Sequence, residues 1–395
     1  MLPALSADEA AHCAALLQRI MLCMQAAGGY LDFETFMNLA LYAPGLGYYS
    51  AGSMKIGAAG DFTTAPESSE LFARCVARQC AQVLTLMPGA SILELGAGTG
   101  SMAAAVLREL AALQRLPVHY DILEVSADLT ERQRQRLAGL PQALRSRVRW
   151  LQQLPATPMS GVILANEVLD ALPCRRFAVR ATGVEELGVT QAADGALTWA
   201  SRAADAGLTA AVRELDAALG EPLRPDYTSE LCLRADAWIA SLAGCLARGV
   251  LLLFDYGLPR AQYYHPDRTT GTLICHFKHR AHCDPLINVG VQDISAWVDF
   301  TRVALAGEAA GLELLGFCTQ AGFLLGAGID VLLGEARDGA EQARLAAEAR
   351  RLLLPGEMGE AFKLLILGRG IDAPLEGVRH QDLRDSLQRS ARESA

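Results

Sequence analysis

The chain is short of aromatic residues, of positive charge and of paired cysteines. Phe, Trp and Tyr make up 6% of its 395 residues, so Ala, Leu and Gly supply much of the bulk. Lys and Arg number 35 against 44 Asp and Glu, a formal charge of −9. That balance argues against non-specific nucleic-acid binding. It suits a cationic partner, although a solvated acidic surface is the plainer reading. The ten cysteines are scattered without CxxC pairs, which indicates reduced, mostly buried thiols rather than a disulfide framework. No apolar run resembles a membrane span. The longest candidate, "GFCTQAGFLLGAGIDVLL", contains Asp330 and several glycines and reads as strand, turn and helix start. The N-terminal "MLPALSADEAAHC" lacks the basic region of a signal peptide and the Arg-rich character of a transit peptide. A cytoplasmic address is the default expectation.

What is present is ample apolar material. A hydrophobic share of 51% excludes a disordered chain, and the length fits two to three domain-sized units. Residues 9–28 have helical spacing and end at Gly28-Gly29; "LDFETFMNLALYA" is a second helix, stopped by Pro44. From Ser91 the rhythm becomes strand, helix, strand: "SILELGAG", "SMAAAVLRELAALQRL", "VHYDILEVS", "ADLTERQRQRLAGL", "RVRWLQQL", "GVILANEVLDALP". This alternation predicts an α/β fold with a doubly wound parallel sheet. It breaks after Pro173, where a β meander with turns at Gly183 and Gly195 precedes a helix pair running to about Arg248. "VLLLFDYG", "LELLGFCTQ" and "FKLLILGRG" return to the sheet. The expected units are an N-terminal helical extension (1–90), a first half-core (91–174), an inserted β/α segment (175–248) and a second half-core (249–371). The last carries a substrate-facing insertion at 258–297. A charged, frayed tail (372–395) follows.

Ligands of open α/β sheets bind where strands end, at the switch in strand order. After the first strand comes "ELGAGTG": Glu94, then Gly96, Gly98 and Gly100. Glycine removes Cβ, so backbone can turn sharply and approach a ligand. The next helix offers its free N–H groups. The bland alternative is a tight turn. A dinucleotide site wants G-x-G-x-x-G, but the third slot is Ser101. The G-x-G-x-G run with an acid two residues before it resembles motif I of S-adenosylmethionine-dependent methyltransferases. After the second strand stands Glu124, placed to accept both ribose hydroxyls of an adenosyl group. After the fourth comes "NEVLDALP" with Asn166, Glu167 and Asp170; after the fifth, "DYG" with Asp255. Acids gathered at strand ends favour a cation between them. Glu167 reads as functional. Asp170 reads as a helix cap, and Asp255 as a turn cap or a second catalytic carboxylate.

The similarity is wider than one motif. "LYAPGLGYYS", "IGAAGDFTTAPE", "ILELGAGTG", "ILANEVLDALPCRRF", "YYHPDRTTGTL" and "DPLINVGVQDISAWVDF" together resemble the MidA-like family, in that family's order, over residues 30 to about 325. The resemblance implies a class I methyltransferase (Rossmann-like) core with an N-terminal extension and insertions, and S-adenosyl-L-methionine as cofactor. Eukaryotic members are mitochondrial assembly factors for respiratory complex I. For these it implies methylation of arginine in a partner protein, so the expected partner is a protein substrate such as a respiratory-complex subunit. A cofactor-binding assembly factor with weak or no catalysis is the alternative. In the family reading "GDFTTAPE" covers the cofactor, with Thr63 and Thr64 offering hydroxyls and Asp61 a second carboxylate near Glu167; the alternative is local turn bonds and a helix cap. His276, His279, His282 and Cys283 invite a metal reading, but the H-x2-H-x2-H spacing is unlike common zinc sites, and no metal is expected.

Overall fold

The computed structural model describes residues 2–51 and 69–388. The first helix, Ala7–Ala26, begins at a capping box: Ser6 accepts from the Glu9 N–H, and Glu9 accepts from the Ser6 N–H. Strand β1 (Leu31–Asp32) leads directly into the helix Phe33–Tyr42, which Asp32 caps by accepting from the Thr35 N–H at 2.8 Å. The helix Glu70–Leu86 then enters the core strands β2 (Ser91–Leu95), β3 (Tyr120–Leu123), β4 (Val148–Leu151) and β5 (Met159–Asn166). The meander follows as β6 (Arg175–Arg180), β7 (Gly183–Gln191) and β8 (Leu197–Ala203), with β9 (Thr228–Leu231) after the helix Ala206–Leu219. The helix Arg234–Cys245 runs straight into β10 (Leu246–Leu258), so the second of the expected helix pair ends before Arg248. The chain continues through β11 (Ile274–Phe277), β12 (Arg280–His282), β13 (Asp293–Ser295), β14 (Val298–Asp299), β15 (Glu313–Thr319) and β16 (Phe362–Arg369).

The central sheet has the order β15-β16-β10-β5-β2-β3-β4, with β14 paired to β10. β2, β3, β4, β5 and β10 are mutually parallel, and β16 is antiparallel to both β10 and β15. Strand order reverses between β2 and β5. This is the doubly wound, class I methyltransferase arrangement. Helices Glu70–Leu86 and Ser101–Ala112 cover one face around Ile92, Val162 and Val250. Helices Arg234–Cys245 and Phe300–Ala309 cover the other around Leu93, Ile163 and Leu251. Strands buried on both faces read as continuous apolar runs, as "GVILA" and "VLLLF" do.

Two sequence expectations need revision. The N-terminal extension is not a unit apart: β1 joins the antiparallel sheet β1-β7-β6-β9 of the insertion. Its helices bury Leu16, Phe33 and Phe36 in one cluster with Cys275 and Ile294. Within the 258–297 insertion, β12-β11-β13 form a small sheet. Residues 372–388 are packed rather than frayed. Leu375, Val378 and Leu387 are buried, and the Gln79 side chain accepts from the Gly377 N–H at 2.8 Å. The apolar positions of that tail were hidden among its charges.

Candidate functional site

A cleft of about 580 Å³ opens at the carboxyl ends of β2, β3 and β5, where the strand order reverses. The glycine loop forms its floor. Gly96, Gly98 and Gly100 all have positive φ (62°, 53° and 83°), a conformation that side chains resist. Gly100 also caps the helix Ser101–Ala112, and a Cβ there would meet Gln133 at 3.4 Å. The left-handed φ alone calls for glycine there, since a Cβ at 3.4 Å would make an ordinary contact, and Gly100 does not itself line the cleft.

Glu94 is fully buried, on the last turn of β2 before the loop, and lines the cleft. Its Oε2 accepts from the Tyr120 hydroxyl at 2.7 Å, while among the described residues its Oε1 has no hydrogen-bond partner. Burial pushes the carboxyl up to about 7 against the opposing pull of Tyr120. A buried orphan oxygen facing a cavity is a group awaiting a donor.

Glu124, at the end of β3, is 8% exposed. Its Oε1 accepts from the Ser126 N–H at 2.8 Å and its Oε2 from Gln133 Nε2 at 3.1 Å. Each oxygen keeps a further lone pair for a ligand hydroxyl. Burial raises its pKa. Gln133 escaped the sequence reading. It is fully buried, donates also to the Gly98 carbonyl at 3.0 Å and accepts from Trp150 Nε1 at 3.0 Å. One amide therefore ties the glycine loop, Glu124 and β4 together. Nothing in "TERQRQRL" separates it from Gln135, whose amide bonds on the exposed side to Glu131.

Glu167 follows β5 with φ +54°, a strained conformation for a glutamate that costs about 1–2 kcal/mol. Its N–H donates to the Phe254 carbonyl at 2.8 Å, and Asn166 Nδ2 donates to its Oε1 at 3.0 Å. Both residues line the cleft. Asp255 lies behind them. It is fully buried and accepts from the N–H groups of Leu169 (2.9 Å), Asp170 (3.2 Å) and Tyr256 (2.9 Å). It lines neither this cleft nor the cavity beside it, and its placement is that of a turn holder. No helix follows Asp170; its carboxylate accepts from the Tyr256 hydroxyl instead of capping. Asp61, Thr63 and Thr64 lie outside the described residues.

Tyr42, Pro44 and Tyr49 from the N-terminal extension close one side of the cleft, and Trp238 the other. The Tyr42 hydroxyl donates to the Ala171 carbonyl at 2.9 Å, and the rings of Tyr42 and Tyr49 stack at 5.7 Å. In the β11–β12 hairpin His279 occupies the turn, with φ +59°. His276 pairs with Ala281 and His282 with Cys275, so the two imidazoles project from opposite faces. Among the described residues, no three potential ligands converge on a metal position.

The family model described as "Putative S-adenosyl-L-methionine-dependent methyltransferase" matches residues 75–318. The chain belongs to this MidA-like family. A MidA-like protein from Burkholderia thailandensis, in a crystal structure bound to S-adenosyl-homocysteine, is 40% identical, with a TM-score of 0.91 over 97% of this chain and 99% of that one. Among curated relatives, "Protein arginine methyltransferase NDUFAF7, mitochondrial" of Xenopus laevis is 30% identical, covering 95% of this chain and 86% of its own. The Homo sapiens protein of that name is 27% identical, covering 96% and 87%. The cofactor of this MidA-like chain is S-adenosyl-L-methionine, and the residues of the cleft fit it. Glu94 Oε1 could accept from an ammonium group, and Glu124 could accept from ribose hydroxyls. The glycine floor admits a ligand against the backbone. Among the described residues, no helix is long and apolar enough to cross a membrane.

Proposed function

We propose that the protein methylates arginine side chains of a protein substrate. The observation that carries this reading is Glu167: a carboxylate held in a strained backbone conformation at the end of β5, where the cofactor cleft meets a second, acid-lined cavity. The naming of its relatives in Xenopus laevis and Homo sapiens as protein arginine methyltransferases supports the same acceptor.

When bound, S-adenosyl-L-methionine supplies a methyl group on an electrophilic sulfonium. The chain's own residues do the rest. Glu94 and Glu124 orient the cofactor from its two ends. An arginine guanidinium stays protonated at neutral pH and spreads its charge over three nitrogens, which makes it a poor nucleophile. Glu167 accepts hydrogen bonds from the guanidinium edge, offsets its charge and draws electron density onto the reacting nitrogen. Asn166 fixes the Glu167 carboxylate by its 3.0 Å bond. Asp255 pins the turn that carries Asp170.

Glu167→Gln tests this. The variant should keep S-adenosyl-homocysteine affinity within a few-fold and lose methyl transfer by a factor on the order of 100 or more, the scale for removing a transition-state electrostatic partner. Unchanged activity would remove Glu167 from the reaction. A wild-type protein that binds cofactor but labels nothing would point to an assembly role without catalysis.

A further inference from the structure

A second cavity, of about 320 Å³, opens beside the cofactor cleft, and Tyr49 and Glu167 line both. Four separate parts of the chain build it. Asp170 comes from the turn after β5, Asp293 from β13, Tyr256 from the end of β10, and Tyr49 from the N-terminal extension. Among the described residues, no Lys or Arg lines it; His276 is its one basic side chain.

The two aspartates are unusually deep for carboxylates, at 4% and 3% exposure. Asp293 Oδ1 accepts from the Tyr49 hydroxyl at 2.9 Å, and its Oδ2 from the Ser295 hydroxyl at 3.1 Å. Asp170 Oδ2 accepts from the Tyr256 hydroxyl, and among the described residues its Oδ1 has no hydrogen-bond donor. Burial and the charge of Asp293 push Asp170 up to about 6. A buried carboxylate oxygen left without a donor, as Asp170 Oδ1 is among the described residues, is costly unless a cation or donor joins it. Glu167 adds a third carboxylate at the shared wall. The rings of Tyr49, Tyr256, Trp297 and Phe362 also line the cavity and can flank a cationic guest.

We propose that this cavity receives the acceptor: one extended cationic side chain of guanidinium type, gripped by Asp170 and Asp293, with Glu167 holding the nitrogen nearest the cofactor. The proposal rests on the arginine reading above and assigns it a site. A volume near the lower end of ligand pockets, roughly 300–1,000 Å³, has room for a single side chain. Three carboxylates, two from the turn after β5 and one from β13, suit the planar five-donor fork of a guanidinium better than the compact ammonium of lysine.

The test uses the full-length protein saturated with S-adenosyl-homocysteine and three blocked tripeptides, acetyl-Gly-X-Gly-amide with X as arginine, lysine or citrulline. Binding is followed by NMR titration into the millimolar range. The arginine peptide should bind tightest. Citrulline, which keeps the shape and loses the charge, should bind at least about tenfold more weakly, the loss of one charge-assisted bond. Asp170→Asn and Asp293→Asn should each weaken the arginine peptide by a similar factor while S-adenosyl-homocysteine binding stays within about threefold, which also reports that the variants are folded. Equal binding of arginine and citrulline, no detectable arginine binding, or an arginine affinity untouched by both variants would overturn the assignment. If Asp170→Asn still forms methylarginine at the wild-type rate, the cavity is wrong and the arginine reading stands. If both variants lose binding but lysine is preferred, the guanidinium choice and the arginine reading fall together.

Discussion

Raising the pH from about 6 to about 8 should tighten S-adenosyl-homocysteine binding about tenfold, through Glu94. The cofactor's ammonium needs an ionised partner, yet in the free protein burial lifts Glu94 from its ordinary 4.5 to about 7. At about pH 6 roughly one molecule in ten then carries the ionised form; at about pH 8 roughly nine in ten do. If the bound ammonium holds Glu94 ionised, affinity follows that fraction. Near pH 7 binding should also release about half a proton from this group, which calorimetry in two buffers of different protonation enthalpy will read. The sign for the stability of the free protein is the opposite. A carboxyl with a raised folded-state pKa stabilises the free protein fully below about 4.5 and loses that contribution as pH rises through about 7. Bound cofactor restores it. Burial raises Glu124 as well, so Glu94→Gln is the deciding variant. A neutral amide cannot titrate. The variant should show a flatter profile and bind at about pH 8 roughly tenfold or more below wild type, the cost of a charge-assisted bond. A wild-type profile without slope, or a Gln variant with the full slope, would refute the role given to the orphan Oε1.

Three further substitutions probe the same cleft by calorimetry. Gly98→Val places a branched side chain at φ +53° against the ligand, and binding should be lost; normal affinity would remove the loop from the site. Glu124→Ala should weaken binding by roughly 10- to 150-fold, corresponding to about 1.5–3 kcal/mol. An unchanged constant would leave Glu124 a role only in capping through Ser126 and Gln133. Gln133→Leu strands the Gly98 carbonyl, a Glu124 oxygen and Trp150 Nε1, and should cut affinity about tenfold together with a lower melting temperature. A lower melting temperature with full affinity would mean that Gln133 serves stability alone.

Glu94, the three glycines, Glu124 and Asn166–Glu167 were legible because each sits at the end of an apolar run, and a doubly wound sheet gathers its strand ends on one edge. That inference needs only local pattern and topology. Gln133 was not legible. Its partners lie 35, 9 and 17 positions away, and its own helix shows only polar periodicity. The second cavity was harder still. Tyr49 and Asp293 are 244 positions apart, and Asp170 and Tyr256 are 86 apart. Asp170 looked like a cap because "LDALP" has cap-like composition, but the chain turns there without forming a helix. The two-residue β1 was too short to register as a strand, so the sharing of one sheet by extension and insertion had no signal in the sequence.

The most direct test of the central claim is methyl transfer itself. Wild-type protein and Glu167→Gln are incubated with methyl-labelled S-adenosyl-L-methionine and a lysate of the source organism, and labelled proteins are hydrolysed to amino acids. The account expects label in protein, recovered as methylarginine, and reduced on the order of 100-fold with Glu167→Gln. Label recovered in another residue or in a small molecule, or an equal yield of methylarginine from both proteins, would contradict it.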